Sequence, residues 1–527
     1  MALRINFNYE AASTHTAIVQ NEREMNKSLL RLSTGLRILN AADDSAGLFI
    51  ADQLMLVASG LEEGNRNIQT ALSALRIAEN SAGQIYNRLN EIYRRTIRAA
   101  NDINDPNARA SLQREIDNFI DAIKKIATDT EYNGIKLLDG TFAGRYIHYG
   151  AREDQVLEVD IKSLLPNDIG AFLARGQEAI YTSGATAVTD TNFTTLSGIN
   201  NWLVESGDYV DIAGIRVLSG SGTPTFVDAK TLADNINSNQ ALQALGIEAV
   251  AKNTNQADQA YVGFSNFVTT TRGAIVNYVT LKFYIGNANA SGSEDFSVTI
   301  NSSITTVQQL ADAINTAAAG AGKPISARVV DNRLYLETAH GETIAVQVSV
   351  NMSGTGTANV NLGQILQGAG TVSFTATDQY AYYIDVGEID IAGLETYKLE
   401  YSGVSASGAG FNFNLTSGSN AQMKNLYSIS VLTNEQAETS MLIAKKALQK
   451  VDTIRAQIGA IMNNLQSIFD SQKVALDNTR EAENVIRNTD YAEEMSNFVK
   501  LQIKMQSSMA MLAQANTLPQ LVLQLLR

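Results

Sequence analysis

The sequence predicts an α+β multidomain fold, in which N- and C-terminal helices pair into a coiled-coil or helical-bundle rod and the central region is β-rich. Two observations predict this fold class. Near both chain ends, apolar residues recur every three or four positions, as on one face of a helix. Between about residues 132 and 420 the sequence changes to short alternating runs of Thr, Ser, Gly, Asn, Val and Ile, which is typical of strands and turns.

The N-terminal helical region runs from about residue 10 to residue 130, where glycine is sparse and Pro106 is the only proline. Asp105 and Pro106 predict the end of one helix and the start of the next, because Asp caps helices and Pro is tolerated in the first turn. Three apolar stripes mark helices before and after this point: Ile18, Met25, Leu29, Leu32, Leu36 and Leu39, with Glu22 in one slot; Leu61, Ile68, Leu72, Leu75, Ala82 and Leu89; and Leu112, Ile116, Phe119, Ile123 and Ile126.

The C-terminal region repeats this pattern in two further stripes. Apolar residues spaced alternately three and four apart form a seam that is buried against a partner helix in a left-handed coiled coil. The simplest arrangement therefore pairs the N-terminal helices with the C-terminal ones, and two unrelated helical domains are the alternative. The stripes are Val451, Ile454, Ile458, Ile461, Leu465 and Ile468, and then Met495, Phe498, Met505, Met509 and Leu512, with Gln502 as the polar interruption.

Turn signals and an internal repeat organise the middle of the chain. Asn133 and Gly134 predict a tight hairpin turn, since both tolerate the positive φ that such turns need. Residues 146–149 and 156–161 read as the two strands of a second hairpin. The hexapeptide LADNIN at residues 232–237 recurs 78 residues later as LADAIN, and each copy reads as a short helix followed by a strand. A second echo pairs DIAG at residues 211–214 with DIAG at residues 390–393. We expect related β-rich modules.

Composition and length limit the function classes. The chain has 527 residues, 45% hydrophobic and 18% charged, which suffices for roughly two to four packed domains. A net charge of −14 argues against nucleic acid and against anionic lipid, because both need clustered Lys and Arg. The absence of cysteine excludes disulfides and thiolate metal sites. Residues 1–6 lack the apolar core of a secretory signal, and no stretch approaches the roughly 18 apolar residues that span a membrane. We expect neither membrane insertion nor a cleaved signal peptide.

The sequence contains no recognisable catalytic motif. His15, His148 and His340 are the only histidines, and no two are spaced to share a metal ion. A His-Glu-x-x-His motif, a phosphate-binding glycine loop and a Gly-x-Ser-x-Gly elbow are all missing. The adjacent acids Asp43 and Asp44 are better explained by helix capping or surface charge than by acid–base chemistry. We therefore predict no enzyme activity, no cofactor and no metal.

The helical ends closely resemble the bacterial flagellin family. Residues 32–47 (LSTGLRILNAADDSAG) and 129–138 (DTEYNGIKLL) match the family's motifs near its N-terminus. Residues 486–494 (IRNTDYAEE), 511–516 (MLAQAN) and 518–520 (LPQ) match those near its C-terminus. The resemblance covers about residues 1–175 and 420–527, while the middle resembles the family only loosely.

This resemblance implies a three-part organisation. Residues 1–44 with 484–527 would form the innermost coiled coil, and 45–175 with 420–483 a helical rod with a β-hairpin. Residues 176–419 would form a variable β-rich outer region of two modules that projects outward. A lone two-helix coil buries too little apolar area to offset its ordering entropy, so we expect it to order on assembly. The predicted subunit-packing seam comprises Ile18, Met25, Leu29, Leu32, Leu36, Met495, Phe498, Met505, Met509 and Leu512.

The resemblance also implies the function and the partners. The chain would be the structural subunit of an extracellular flagellar filament, exported unfolded by the flagellar type III apparatus. Its partners would be itself, an export chaperone, the flagellar cap protein and the hook-associated proteins. A hook–filament junction protein is one alternative. A carbohydrate-binding adhesin on a flagellin scaffold is another, and Trp202, the only tryptophan, would be the first residue to test.

An innate immune receptor of animals contacts many flagellins at positions that correspond here to Glu91, Arg95 and Glu115. Glu115 agrees with the family pattern. Glu91 replaces a basic residue and Arg95 an apolar one, and both changes should weaken such an interface. The sequence therefore predicts only weak contact with that receptor.

Overall fold

The computed structural model describes residues 8–101, 103–185, 203–220, 225–286, 294–403 and 412–525. Long helices lie near both chain ends, and shorter ones lie within the strand-rich middle. The helices are α1 (Tyr9–Thr34), α2 (Ser45–Ala99), α3 (Pro106–Asp129), α4 (Ala229–Ser238), α5 (Gln240–Ala244), α6 (Phe264–Phe267), α7 (Val307–Ala321), α8 (Asn434–Arg487) and α9 (Tyr491–Leu525).

The strands lie between α3 and α8, which confirms the predicted α+β fold with paired terminal helices and a β-rich centre. They are β1 (Glu131–Tyr132), β2 (Ile135–Lys136), β3 (Arg145–His148), β4 (Val156–Val159), β5 (Gly170–Gln177), β6 (Ala179–Thr182), β7 (Leu203–Val204), β8 (Tyr209–Ile212), β9 (Ile215–Ser219), β10 (Thr225–Phe226), β11 (Glu248–Gln256), β12 (Val268–Thr271), β13 (Ile275–Ile285), β14 (Phe296–Ile300), β15 (Ile325–Val330), β16 (Arg333–Thr338), β17 (Ile344–Ser353), β18 (Thr357–Asn361), β19 (Thr371–Phe374), β20 (Tyr380–Val386), β21 (Glu388–Gly393), β22 (Lys398–Ser402), β23 (Asn412–Phe413), β24 (Ser419–Asn420) and β25 (Gln422–Asn425).

The rod is built from α2, α3 and α8. Ion pairs between Glu79 and Arg455 at 2.8 Å and between Glu62 and Arg480 at 2.6 Å show that α2 and α8 run antiparallel. The predicted stripes meet in one apolar core, and burying them is what stabilises these helices. Its buried members include Ile68, Leu72, Leu75, Ala82, Leu89, Leu112, Ile116, Ile123, Val451, Ile454, Ile458 and Leu465.

The start of α3 and the two predicted hairpins are confirmed. The Asp105 side chain accepts a hydrogen bond from the Ala108 amide at 2.8 Å, and Pro106 occupies the first turn. Asn133 and Gly134, with φ of 50° and 76°, join β1 to β2. Strands β3 and β4 pair antiparallel and form the second hairpin.

The outer region contains two apolar cores and two main sheets. A seven-stranded sheet has the order β15-β16-β11-β21-β5-β23, with β25 also paired to β5, and a five-stranded sheet has the order β14-β13-β17-β20-β6. A four-stranded sheet (β24-β22-β8-β9) and a three-stranded sheet (β12-β18-β19) complete the two cores. One core gathers α4, β8, β9, β11 and β21, and the other gathers α7, β14 and β18; β13, β17 and β20 contribute residues to both.

Ion pairs hold the seven-stranded sheet against α8. Arg175 on β5 bonds Asp390 at 2.6 Å and reaches Glu435 on α8 at 3.1 Å. Lys252 on β11 bridges Glu388 at 2.6 Å and Glu438 on α8 at 3.2 Å. These ion pairs supplement an apolar joint, since Ala171, Leu173 and Ala392 of this sheet belong to the rod core.

The internal repeat is a structural repeat. In the first copy, the Asn237 amide group donates to Ala249 O at 2.8 Å and accepts from Ala249 N at 2.9 Å. In the second copy, Asn315 makes the same two bonds to Ala327 at 2.6 and 2.7 Å. Each asparagine thus ties its helix (α4 or α7) to the next strand along the chain (β11 or β15). The repeated tetrapeptide DIAG is not part of this structural repeat, because its two copies have different structures. Residues 211–214 turn from β8 into β9, whereas residues 390–393 stay within β21.

One of the proposed domain limits coincides with the start of a helix, and the others lie inside secondary-structure elements. Residue 44 caps α2, so the first limit coincides with a helix start. The limits at residues 175, 420 and 483 lie inside β5, β24 and α8, respectively. Strand β5 contributes Ala171 to the rod core and Ala174 to an outer core, so the backbone is continuous across that limit. The division into three parts remains a prediction.

Candidate assembly surface

Helices α1 and α9 form a second antiparallel pair at the chain ends. The Asn8 side chain donates to Ala515 O at 2.9 Å, and Asn21 Nδ2 donates to Ser508 Oγ at 3.4 Å. Near the other end of the pair, Arg31 lies 3.8 Å from Glu494. These side-chain contacts are polar, and they are spaced widely along the two helices.

The apolar seam between these two helices is only partly buried. Leu29, Met495 and Met509 are 50–53% exposed, while the other predicted seam residues are partly buried. Among the described residues, neither α1 nor α9 contributes to a buried apolar cluster, in contrast to α2 and α8. The partly buried members are Ile18, Met25, Leu32, Leu36, Phe498, Met505 and Leu512.

A second apolar stripe on α9 faces solvent. Tyr491, Met495, Val499 and Ile503 are spaced four residues apart, on adjacent turns of one side of the helix, and they are 44–60% exposed. We call these four residues the outer stripe. Single exposed apolar residues are ordinary, but a row of four along one helix marks an interaction surface. Its spacing of four was visible in the sequence, although only Met495 was singled out there.

The start of α2 adds further exposed apolar side chains. Phe49 and Leu56, two turns apart, are 65% and 66% exposed. Ile50, Met55 and Val57 beside them are also exposed. An isolated chain therefore leaves apolar surface uncovered on two of its long helices.

The prediction that the first helix continues through Leu36 and Leu39 was wrong. Helix α1 ends at Thr34, because Gly35 adopts a left-handed conformation with φ of 74°. An added Cβ there would lie 2.9 Å from the Tyr491 hydroxyl, so both the conformation and the space favour glycine.

Leu36 instead lies in a backbone connection between the two ends of the chain. It forms an isolated β-bridge with Asn488, and Arg37 N donates to Arg487 O at 2.7 Å. Thr489 N donates to Gly35 O at 2.9 Å. Two of the motifs that carry the family resemblance, at residues 32–47 and 486–494, are thus in direct contact.

The acidic pair beside this connection has a structural role. Asp43 accepts from Lys27 Nζ at 2.8 Å and from Leu39 N at 3.2 Å, and the Lys27 bond in particular lowers the pKa of Asp43. Asp44 caps α2 by accepting from Gly47 N at 2.9 Å. This agrees with capping rather than with catalysis.

The three positions that the family resemblance predicts as receptor contacts form one ion-pair cluster. Arg95 bonds Glu91 on its own helix and Glu115 on α3, the latter at 3.0 Å. Its guanidinium also lies 5.4 Å from the centre of the Phe119 ring. Glu115, the one position that agrees with the family pattern, is therefore already paired within the chain.

The described residues contain no group of three or more His, Cys, Asp and Glu side chains able to hold a metal ion. His340 lies in a turn where its amide donates to Glu342 at 2.9 Å. Within the described ranges, no helix has the length and apolar character of a membrane span. Trp202 lies outside the described residues.

Comparison with known proteins covers the whole chain. Residues 5–143 match the bacterial flagellin N-terminal helical region, and residues 441–526 match the C-terminal helical region. Flagellin from Aquifex pyrophilus is 49% identical over 535 residues, and flagellin from Aquifex aeolicus (strain VF5) is 46% identical over 543 residues. Flagellin A from Helicobacter pylori is 27% identical over 552 residues. Each alignment covers 100% of this chain and 100% of the relative.

Proposed function

The chain belongs to the bacterial flagellin family, and we infer that it is a structural subunit that self-assembles into the flagellar filament, the helical propeller used for motility. The single observation in the structure that supports self-assembly is the outer stripe on α9. Four apolar side chains are exposed along a helix whose own pairing with α1 is incomplete. Covering them with neighbouring subunits removes apolar area from water, which favours association by about 25 cal/mol per Å².

The finer details of assembly remain proposals. We propose that α1 and α9 are the core of the subunit interface, at the seam Ile18, Met25, Leu29, Leu32, Leu36, Met495, Phe498, Met505, Met509 and Leu512 together with the outer stripe. On this proposal the β-rich outer region projects from the filament. Because the pair buries no apolar cluster of its own among the described residues, its folding and its assembly are one event.

Family membership also suggests where the chain works and with what. We propose an extracellular location after export through the flagellar type III apparatus without a cleaved signal peptide. The export chaperone, the cap protein and the hook-associated proteins are the proposed partners besides the chain itself. The proposed role is mechanical, with no catalytic step.

The test is filament growth from short seeds, followed by electron microscopy. We expect the intact chain to form long filaments and a chain lacking residues 484–527 to form none. Ile503→Asp should abolish growth while leaving the monomer folded, because the side chain is 60% exposed and the new charge would be buried only at an interface. Asn497→Asp, a change at an exposed polar position of α9 that lies about 120° around the helix from Ile503, is the matched control and should grow normally.

Two outcomes would contradict the proposal. Normal growth of Ile503→Asp would remove the outer stripe from the subunit interface. An intact chain that caps the seeds without extending them would indicate a hook–filament junction protein instead, and a second, polymerising subunit would then have to exist.

A further inference from the structure

The two outer cores share β13, β17 and β20, and they meet where the chain crosses between the two main sheets. Strands β5 and β21 pair in the seven-stranded sheet, and their continuations β6 and β20 pair in the five-stranded sheet. One residue, Glu178, separates β5 from β6, and Gly387 separates β20 from β21. An added Cβ on Gly387 would lie 2.5 Å from Lys252 O and 2.8 Å from Asn253 Cβ, so β11 packs directly against this crossing.

Two carboxyl groups meet inside the junction. Asp385 on β20 is fully buried, and Glu178, which lies between β5 and β6, is close enough to act on its charge. Two carboxylates cannot bond each other without a proton, since an ionised carboxylate only accepts. The buried atoms Asp385 Oδ1 and Glu178 Oε1 have no hydrogen-bond donor. One proton between them satisfies both oxygens.

The remaining polar atoms of the cluster are already engaged. Asn255 Nδ2 donates to Asp385 Oδ2 at 2.7 Å and to Tyr383 Oη at 2.6 Å. Tyr383 in turn donates to Gln367 O at 2.8 Å, and Gln367 N donates to Asn255 Oδ1 at 3.0 Å. These bonds fix the free oxygen of Asp385 toward Glu178.

We propose that Glu178 and Asp385 share a single proton, and that this proton latches the two outer modules together at their junction. Losing it would leave two negative charges close together in a buried site, which strongly disfavours the packed arrangement. The latch therefore makes the packing of the two outer cores against each other sensitive to pH. This property goes beyond filament assembly and belongs to the single chain.

The surrounding charges favour a protonated pair over a doubly ionised one. Tyr383 on β20, Asp258 beyond β11 and Glu435 on α8 add no positive charge at neutral pH. Lys252 on β11 is the nearby cation among the groups that act on the pair, and it is already bonded to Glu388 and Glu438. Burial raises the pKa of Asp385 and of Glu178 above their ordinary values of 3.8 and 4.5, and the charge of Glu178 raises that of Asp385 further.

The sign of the pH effect follows from these directions. The unfolded chain loses both protons near their ordinary pKa values, whereas the folded chain keeps one to higher pH. The stability that the proton provides is thus complete in acid, and it is lost as the pH rises through the raised pKa of the pair. For one proton, the folding equilibrium constant falls by at most about tenfold per pH unit within that window.

The experiment uses the full-length monomer, with infrared spectroscopy and hydrogen exchange. The wild type should show the C=O stretch of a neutral carboxylic acid in mildly alkaline buffer, and Asp385→Asn should lack it. Raising the pH further should lower the protection of β6 and β20 amides in the wild type by tenfold or more, where protection is the hydroxide-catalysed rate of an unstructured peptide at the same pH divided by the observed rate. Asp385→Asn should lose that pH dependence, because the introduced side-chain amide donates to the Glu178 carboxylate without a proton. Asp378→Asn, an exposed site before β20, should behave as the wild type.

Two results would overturn the latch. Absence of the neutral-acid band from the wild type in mildly alkaline buffer would show that the pair is ionised, and this readout does not depend on any variant folding. Slower exchange in β6 and β20 on adding Ca²⁺, reversed by a chelator, would show that a cation and not a proton holds the carboxylates.

Discussion

At the scale of single residues, the asparagine of each repeat unit is the clearest case of one side chain stabilising a fold. Asn315 satisfies both the N–H and the C=O of Ala327, which is itself buried. Asn315→Ala leaves both groups without that partner, so we expect it to lower the free energy of unfolding by about 1–3 kcal/mol. Urea denaturation of the monomer measures this loss.

The second repeat unit provides the control for that prediction. Asn237 makes the same pair of bonds to Ala249, so Asn237→Ala should cost a similar amount. Because the two asparagines belong to different apolar cores, their effects should add in the double variant. A strongly non-additive result would mean that the two modules do not unfold as separate packing units.

The cluster of Glu91, Arg95 and Glu115 leads to the second prediction at this scale. The three charged side chains are paired with one another. A receptor that used any of them for binding would have to break these ion pairs. We expect this flagellin to activate the innate immune receptor poorly. Glu91→Arg combined with Arg95→Leu, which restores the family's residue types, should raise potency at least tenfold, about 1.4 kcal/mol. A cell-based receptor assay measures it, and wild-type potency equal to that of a matching flagellin would refute the prediction.

At the scale of helices and strands, periodicity predicted most of the rod correctly. Stripes such as Leu61 to Leu89 and Val451 to Leu465 are largely buried, because a helix that is hydrophobic on one face packs that face against other elements. The end of α1 was misplaced because Leu36 and Leu39 continue the spacing, while the conformation of Gly35 overrides it. Spacing alone could not show that Leu36 pairs its backbone with Asn488.

The junction between the outer sheets could not be predicted from the sequence, for a different reason. Helix and strand signals are local, whereas Glu178 and Asp385 meet only because β5–β6 and β20–β21 cross at the same level. Neither acid belongs to a motif, and each reads alone as an ordinary charged residue. The local repeat, in contrast, was recognised because its helix, its asparagine and its strand follow one another within about twenty residues.

At the scale of the whole molecule, apolar burial is distributed unevenly along the rod. The pair α2–α8 contributes a continuous buried core, whereas the pair α1–α9 contributes none among the described residues and exposes the outer stripe. A helix pair without a buried core opens at a low free-energy cost. The two pairs are joined through backbone bonds at Gly35, Arg37 and Thr489, so opening of α1–α9 need not disturb α2–α8.

This difference predicts how the chain changes when it assembles. In the monomer, amides of α1 and α9 should exchange with solvent at least about a hundredfold faster than amides around Leu72 to Ile92 of α2, a difference of about 2.7 kcal/mol in opening free energy. In the filament, neighbouring subunits cover the outer stripe, so protection of α9 should rise to that of α2, which serves as the internal reference. Hydrogen exchange with mass spectrometry on both states measures this. Equal protection of α9 in monomer and filament would mean that the terminal pair is already stable alone, and that assembly is the docking of preformed rods rather than their completion.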